Sequence, residues 1–175
     1  LKKAPEEKKK PKKSRGPTTE DLWGSAEFGK ISGIMGLDTG TLFSRVSVGS
    51  EKGAKVVENA EGARGTPSIV GVQGDEFLVG TQAETLPHIY APQQLVGRKF
   101  DEESATAFIE DMGYEDYVKK GIGGSMQLIV GDSGVSSSAE MLTAQLISHM
   151  KGVASANVES GKCSHAFLAL PAEAA

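Results

Sequence analysis

Cysteine is almost missing from this chain: Cys163 stands alone among 175 residues. One thiol excludes an internal disulfide and suits a reducing compartment. Beside Lys162, Ser164 and His165 it reads as a small, semi-buried side chain rather than a metal ligand. Aromatic residues are scarce, at 6%, with Trp23 the one tryptophan. The core is therefore expected to be built from Val, Ile, Leu, Met and Ala. No apolar run reaches the roughly 18 residues that a membrane-crossing helix needs, so no membrane span is expected. His88, His149 and His165 lack metal-ligand spacing, and no arrangement of Ser, His and Asp marks a nucleophilic hydrolase. The acids Glu102, Glu103, Glu110, Asp111, Glu115 and Asp116 read as a solvated face.

What the chain does have is glycine, 22 residues of it, and a divided charge. Residues 1–16 carry eight Lys or Arg and two acids, a net of +6, whereas the rest carries 11 basic and 21 acidic residues, a net of −10. Residues 1–17 are rich in Lys and Pro and have no large apolar side chain after Leu1. Burial cannot offset their ordering entropy, so a disordered basic tail is expected there. Its partners would be RNA phosphates or an acidic protein surface. It has no aromatic residues to stack on bases, which argues against reading an RNA sequence. Residues 18–29 form a transition, with a short helical turn after Thr19 and Trp23 as an anchor. The chain opens on Leu rather than Met, which a cleaved organellar leader accounts for, as does a longer parent chain.

The body reads as α/β. Ile34 to Leu37, Leu42 to Val48 and Lys55 to Glu58 form an antiparallel meander with turns at Gly49 and Gly53. Ser68 to Val72 and Glu76 to Val79 form a hairpin across Gln73, Gly74 and Asp75. Residues 80–92 suggest a short helix broken by Pro87 and Pro92. A helix is expected within Asp101 to Met112, with Phe108, Ile109 and Met112 on one side. Ser125 to Val130 is a strand closed by a turn at residues 131–134. The clearest helix runs from about Ala139 to Asn157. Ser137 lies three residues before Glu140, a capping-box spacing, and Leu142, Leu146, Met150 and Val153 make an apolar face. Ala166 to Leu170 follows as a buried strand that Pro171 stops. Strands, a mixed insertion, a helix and a strand in that order feed the helix back onto the first sheet.

The segment Gly36-Leu37-Asp38-Thr39-Gly40-Thr41 carries the most chemistry. A strand ends in a carboxylate, and glycine-containing turns let backbone N–H groups and Thr hydroxyls approach phosphate. A carboxylate there can hold magnesium through water. Taken alone, the hexapeptide also suits an ordinary hairpin turn. The stretch from Val57 to Ser68, reading Val-Glu-Asn-Ala-Glu-Gly-Ala-Arg-Gly-Thr-Pro-Ser, resembles a signature of the seventy-kilodalton heat-shock chaperones. Its Glu-Asn-Ala-Glu-Gly form is similar to the bacterial and mitochondrial branch. Leu78-Val79-Gly80 and the run Leu95-Val96-Gly97-Arg98-Lys99-Phe100-Asp101 follow in the family's order. The resemblance fades between about Glu102 and Gln127, then returns after Ser138 and at Leu170-Pro171-Ala172.

The resemblance implies a partial actin-like (ribonuclease-H-like) ATPase subdomain. Residues 30–60 and 138–175 would form its first sheet, and 61–137 an inserted small subdomain. It also implies roles in a phosphate loop: Asp38 for the magnesium shell, Gly40 and Thr41 for the phosphates. Leu42 stands where the family has a second Thr. Gln93 falls where the family has its catalytic Lys, and a neutral amide cannot supply the charge that stabilises phosphoryl transfer. Lys99 lies beyond the motif and is no obvious substitute. The second phosphate loop and second lobe of the family do not follow within these residues.

The resulting expectation is a non-catalytic, chaperone-derived structural subunit with no bound cofactor, held in a mitochondrial (matrix) assembly. A ribosome, a respiratory complex and an ATP synthase all suit it, with other subunits covering an incomplete sheet. The alternative is the nucleotide-binding half of a split or longer chaperone ATPase, which would take ATP or ADP with magnesium.

Overall fold

A computed structural model describes residues 33–50, 53–131 and 134–169. The sequence readings for residues 1–17 and 18–29, Trp23 included, lie outside the described residues, as do Leu170 to Ala175. The elements run β1 (Ile34–Thr39), β2 (Phe43–Ser50), β3 (Gly53–Val56), β4 (Thr66–Pro67), β5 (Ile69–Gln73), β6 (Glu76–Val79) and β7 (His88–Tyr90). They continue with α1 (Glu103–Met112), β8 (Val118–Lys120), β9 (Met126–Val130), β10 (Val135–Ser137), α2 (Ala139–Ala156) and β11 (His165–Ala169). The architecture is α/β, with three sheets and two α-helices among the described residues.

The first sheet has the order β11-β1-β2-β3, with β4 on the far end of β2. β1 and β2 are antiparallel, with Leu37 opposite Val46 and Asp38 opposite Arg45. β11 joins β1 in parallel, with Leu37 opposite Leu168. Strands this far apart in sequence can pair in parallel because α2 carries the chain back, as parallel pairing requires. β2 runs through Gly49 and Ser50, which pair with Ala54 and Gly53. Gly49 is therefore a strand residue, not the turn its identity suggested.

The second sheet, β6-β5-β7, and the third, β10-β9-β8, come from the residues between β4 and α2. The β5–β6 hairpin is the expected one, with Gln73 opposite Glu76 and Gly74 at φ 62° in the connecting turn. Residues 80–92 do not form the expected helix. A 3-10 turn spans Gly80–Ala83, β7 pairs with β5, and a second 3-10 turn spans Pro92–Leu95. Gly80 starts the first turn at φ 70°, and Pro87 and Pro92 bracket the strand. The ladder that Ile89 and Tyr90 form with Val70 and Ile69 outweighs the weak helical pattern. β7, β8 and β10 are three-residue strands, too short to show an alternation.

α2 supplies the core. Leu142, Leu146, Met150 and Ala154 are buried at i, i+4 spacing, and the helix packs against β1 and β2. Met35, Leu37, Val46 and Val48 lie in the same core cluster. Val153, expected on this face, is only half-buried, and Ala154 takes its place. Each large side chain fully buried here stabilises the fold by about 1.5–3 kcal/mol. The N-cap is Ser138 rather than Ser137. Its backbone is extended (φ −101°, ψ 160°), and its Oγ accepts the Met141 N–H at 3.2 Å. Ser137 instead belongs to β10. α1 ends at Gly113, whose left-handed backbone (φ 66°) lets Tyr114 N–H return to the Ile109 carbonyl at 2.8 Å.

β11 corrects a further expectation. Its residues His165–Ala169 are all exposed, Leu168 by 46%, so it is not the buried strand its apolar composition suggested. It is the edge strand of the described sheet, and an apolar sequence alone does not tell an edge from a centre.

Candidate functional site

The β1–β2 turn gathers the residues singled out in the sequence. Asp38 is exposed near the end of β1, Gly40 and Thr41 lie in the turn, and Leu42 is 62% exposed. Gly40 is required by crowding: a Cβ there would sit 2.7 Å from the Phe43 carbonyl oxygen. A side chain would force the turn open.

The turn is tied down by side chains from the segment that follows it. The Ser68 hydroxyl donates to the Gly40 carbonyl at 2.7 Å. The Ser44 hydroxyl lies 2.9 Å from that of Ser68 and, with Ser68's proton committed to Gly40, donates to it. Both serines are buried. Ser68 N–H and the Tyr90 phenol both donate to the Leu42 carbonyl, at 3.0 and 3.1 Å. Tyr90 is itself placed by Tyr114, whose phenol oxygen accepts the Tyr90 N–H at 2.7 Å. Burial pushes the Tyr114 hydroxyl above its usual range, so it stays neutral and can play that part.

Gln93 completes the set. Its amide nitrogen donates to the carbonyls of Thr39 at 3.3 Å and Gly40 at 2.9 Å. Two carbonyl acceptors fix the amide orientation, because the oxygen end could not face them. Gln93 Oε1 is buried without a partner. Next to it, Gln94 Nε2 donates to Thr41 Oγ1 at 3.2 Å. The 3-10 turn that carries both glutamines starts at Ala91, a buried residue in the left-handed region (φ 49°, ψ 49°). A non-glycine there costs on the order of 1–2 kcal/mol. The Ala91 N–H bond to the Ser68 carbonyl, 2.7 Å, helps to hold it.

Of the sequence-predicted positions, Gly40, Thr41 and Leu42 lie in the turn with Gln93 against it, and Asp38 lies on β1 two residues before Gly40. Sequence reasoning missed Ser68, Tyr90 and Gln94 as its holders. The signal available for Ser68 was its place at the end of Thr66-Pro67-Ser68. The family model described as Hsp70 protein matches residues 34–173.

The chain belongs to the Hsp70 family. The match runs from β1 through β11, so the fold is part of the actin-like ATPase fold of Hsp70 proteins. Whether the turn suits nucleotide chemistry is decided by its own residues. Of the loop that the resemblance implies, the polar groups present are the carboxylate of Asp38 and the hydroxyl of Thr41. Where the resemblance expects a catalytic lysine, the chain has the uncharged amide of Gln93, which is engaged with two turn carbonyls. Leu42 presents an exposed apolar side chain where a hydroxyl is expected. No group of three His, Cys, Asp or Glu that could hold a metal comes together among the described residues. Phosphoryl transfer depends on fixed positive charge around the transferred group, and neither Gln93 nor Leu42 carries any.

Proposed function

We propose that this chain is a non-catalytic, Hsp70-derived structural subunit of a larger mitochondrial assembly. The observation that carries the reading is Gln93. It places a neutral donor where the resemblance expects a lysine, and it uses that donor to brace the turn rather than to reach a ligand. The turn becomes a joint between the first sheet and the segment that follows it. Exposed apolar side chains at Leu42, Phe43, Val56 and Leu168 support a protein partner. The Glu58-Asn59-Ala60-Glu61-Gly62 form supports the mitochondrial setting. The net charge of +6 on residues 1–16 supports a role for the tail on ribosomal RNA, or on an acidic surface of a respiratory or ATP synthase complex. No helix among the described residues is long and apolar enough to cross a membrane.

The test is native purification through a tag on this chain, followed by identification of stoichiometric partners. Co-purification with a defined mitochondrial complex supports the reading. Recovery as a free protein that turns over ATP contradicts it. A second reading, the nucleotide-binding half of a split ATPase, draws on Asp38, Gly40 and Thr41 remaining together. Magnesium-dependent ATP binding that Asp38→Asn abolishes would favour it.

A further inference from the structure

Away from the β1–β2 turn, a cleft of about 570 Å³ opens beside the N-terminus of α2. Small-molecule sites commonly enclose about 300–1,000 Å³. The apolar walls come from four separate places in the fold: Phe77 on β6, Leu95 in the 3-10 turn, Met126 on β9 and Met141 on α2. The polar wall is unequal. Glu140 is engaged, its carboxylate accepting the Gly97 N–H at 3.3 Å. A hydrogen bond to its own backbone, opposed by partial desolvation and aided by the bond from Gly97, holds its carboxyl below the usual 4.5. The Ser138 hydroxyl is committed to the helix cap. Arg98 is different: its half-buried side chain makes no ion pair or hydrogen bond among the described residues. Ser136 and Ser137 line the same cleft.

We propose that this cleft binds a small organic anion that joins an apolar body to a carboxylate or phosphate. The apolar body lies along Phe77, Met126 and Met141. The anionic end seats on Arg98, with the Ser136 and Ser137 hydroxyls as further donors. A guanidinium presents a planar fork of donors suited to either group. Glu140 shares the cleft and opposes any anion, so it limits affinity. This site is independent of the β1–β2 turn and of whether the turn meets nucleotide.

The experiment is a titration of the full chain with octanoate, octyl phosphate and octanol, followed by backbone amide NMR. Octanoate or octyl phosphate is expected to shift the amides of Arg98, Gln127 and residues 136–141, and octanol to bind more weakly. The stronger of the two acids identifies the anionic group. Arg98→Gln should lower the affinity for the acid about tenfold, as loss of a charge-assisted hydrogen bond does, and leave octanol unchanged. Glu140→Gln, which keeps an acceptor for Gly97, should tighten the acid. Equal binding of acid and alcohol would overturn the proposal. So would shifts confined to β11, or no shifts at all. The comparison of acid with alcohol uses the unaltered chain, so it stands even if a variant does not fold.

Discussion

The Gln93 amide nitrogen lies 2.9 Å from the Gly40 carbonyl oxygen and donates to it. The bond joins two positions 53 residues apart, and it makes the side chain at position 93 a brace of the β1–β2 turn. Gln93→Leu removes the donor to both Thr39 and Gly40 and should destabilise the fold by about 1–3 kcal/mol. Gln93→Glu should cost more at neutral pH, because it sets carboxylate oxygens against carbonyl oxygens. Urea unfolding of the three proteins measures the order. A Gln93→Glu protein as stable as the unaltered one would mean that the side chain does not face the turn.

The cap of α2 offers a comparison between neighbours. Ser138→Ala deletes the acceptor for Met141 N–H and should cost about 0.5–2 kcal/mol. Ser137→Ala touches no cap and should stay within about 0.5 kcal/mol. Thermal unfolding of the pair decides. If Ser137→Ala is the costlier change, the helix begins one residue earlier than described.

His149 sets a pH dependence with a definite sign. Burial pushes its imidazole below the ordinary 6.5, against an opposing pull from the charge of Glu61. A depressed value means that the unfolded chain binds more protons than the folded one around and just below 6.5. Its contribution is therefore fully present above that pH and falls as the solution is acidified through it. His149→Gln should flatten the stability profile between about pH 7.5 and pH 5.5 relative to the unaltered chain. Urea midpoints across that range check the slope. Stability that rises on acidification in the unaltered chain, and not in the variant, would reverse the assignment.

Much of the fold was legible in the chain because it rests on burial pattern. The apolar spacing of Leu142, Leu146 and Met150 gave α2, and the apolar runs of β1 and β2 on either side of the Asp38 to Thr41 turn gave the hairpin. The short strands β7, β8 and β10 were not legible, since three residues carry no period and their pairing is set by distant partners. The exposure of β11 was hidden for a related reason. A strand's composition tells what it can pack against, and its place in the sheet decides whether it does. At the turn, the identities of Asp38, Gly40, Thr41 and Gln93 were readable from the family resemblance. The direction of the Gln93 amide was not, because it depends on Ala91 holding a left-handed backbone that no sequence signal marks. Ser68, Tyr90 and Gln94 reach the turn from 26, 48 and 53 residues away, beyond the range of any local motif.

The basic segment should act through charge alone. Deleting residues 1–16, with their net charge of +6, should leave the thermal midpoint of the remaining chain unchanged. The same deletion should remove the salt-sensitive part of binding to RNA or to an acidic protein, since unburied charges are screened beyond about 8–10 Å at physiological salt. Thermal scans and binding at two salt concentrations check both halves. A lowered midpoint after the deletion would make the segment part of the core.

The most direct test of a turn that braces the fold without catalysing is phosphate release from ATP with magnesium. It is measured on the full chain and again on the native complex recovered through it. The account predicts no release that depends on this chain, and none gained by Gln93→Lys, because Leu42 remains apolar and the two turn carbonyls still face position 93. Magnesium-dependent release that Asp38→Asn abolishes would contradict it.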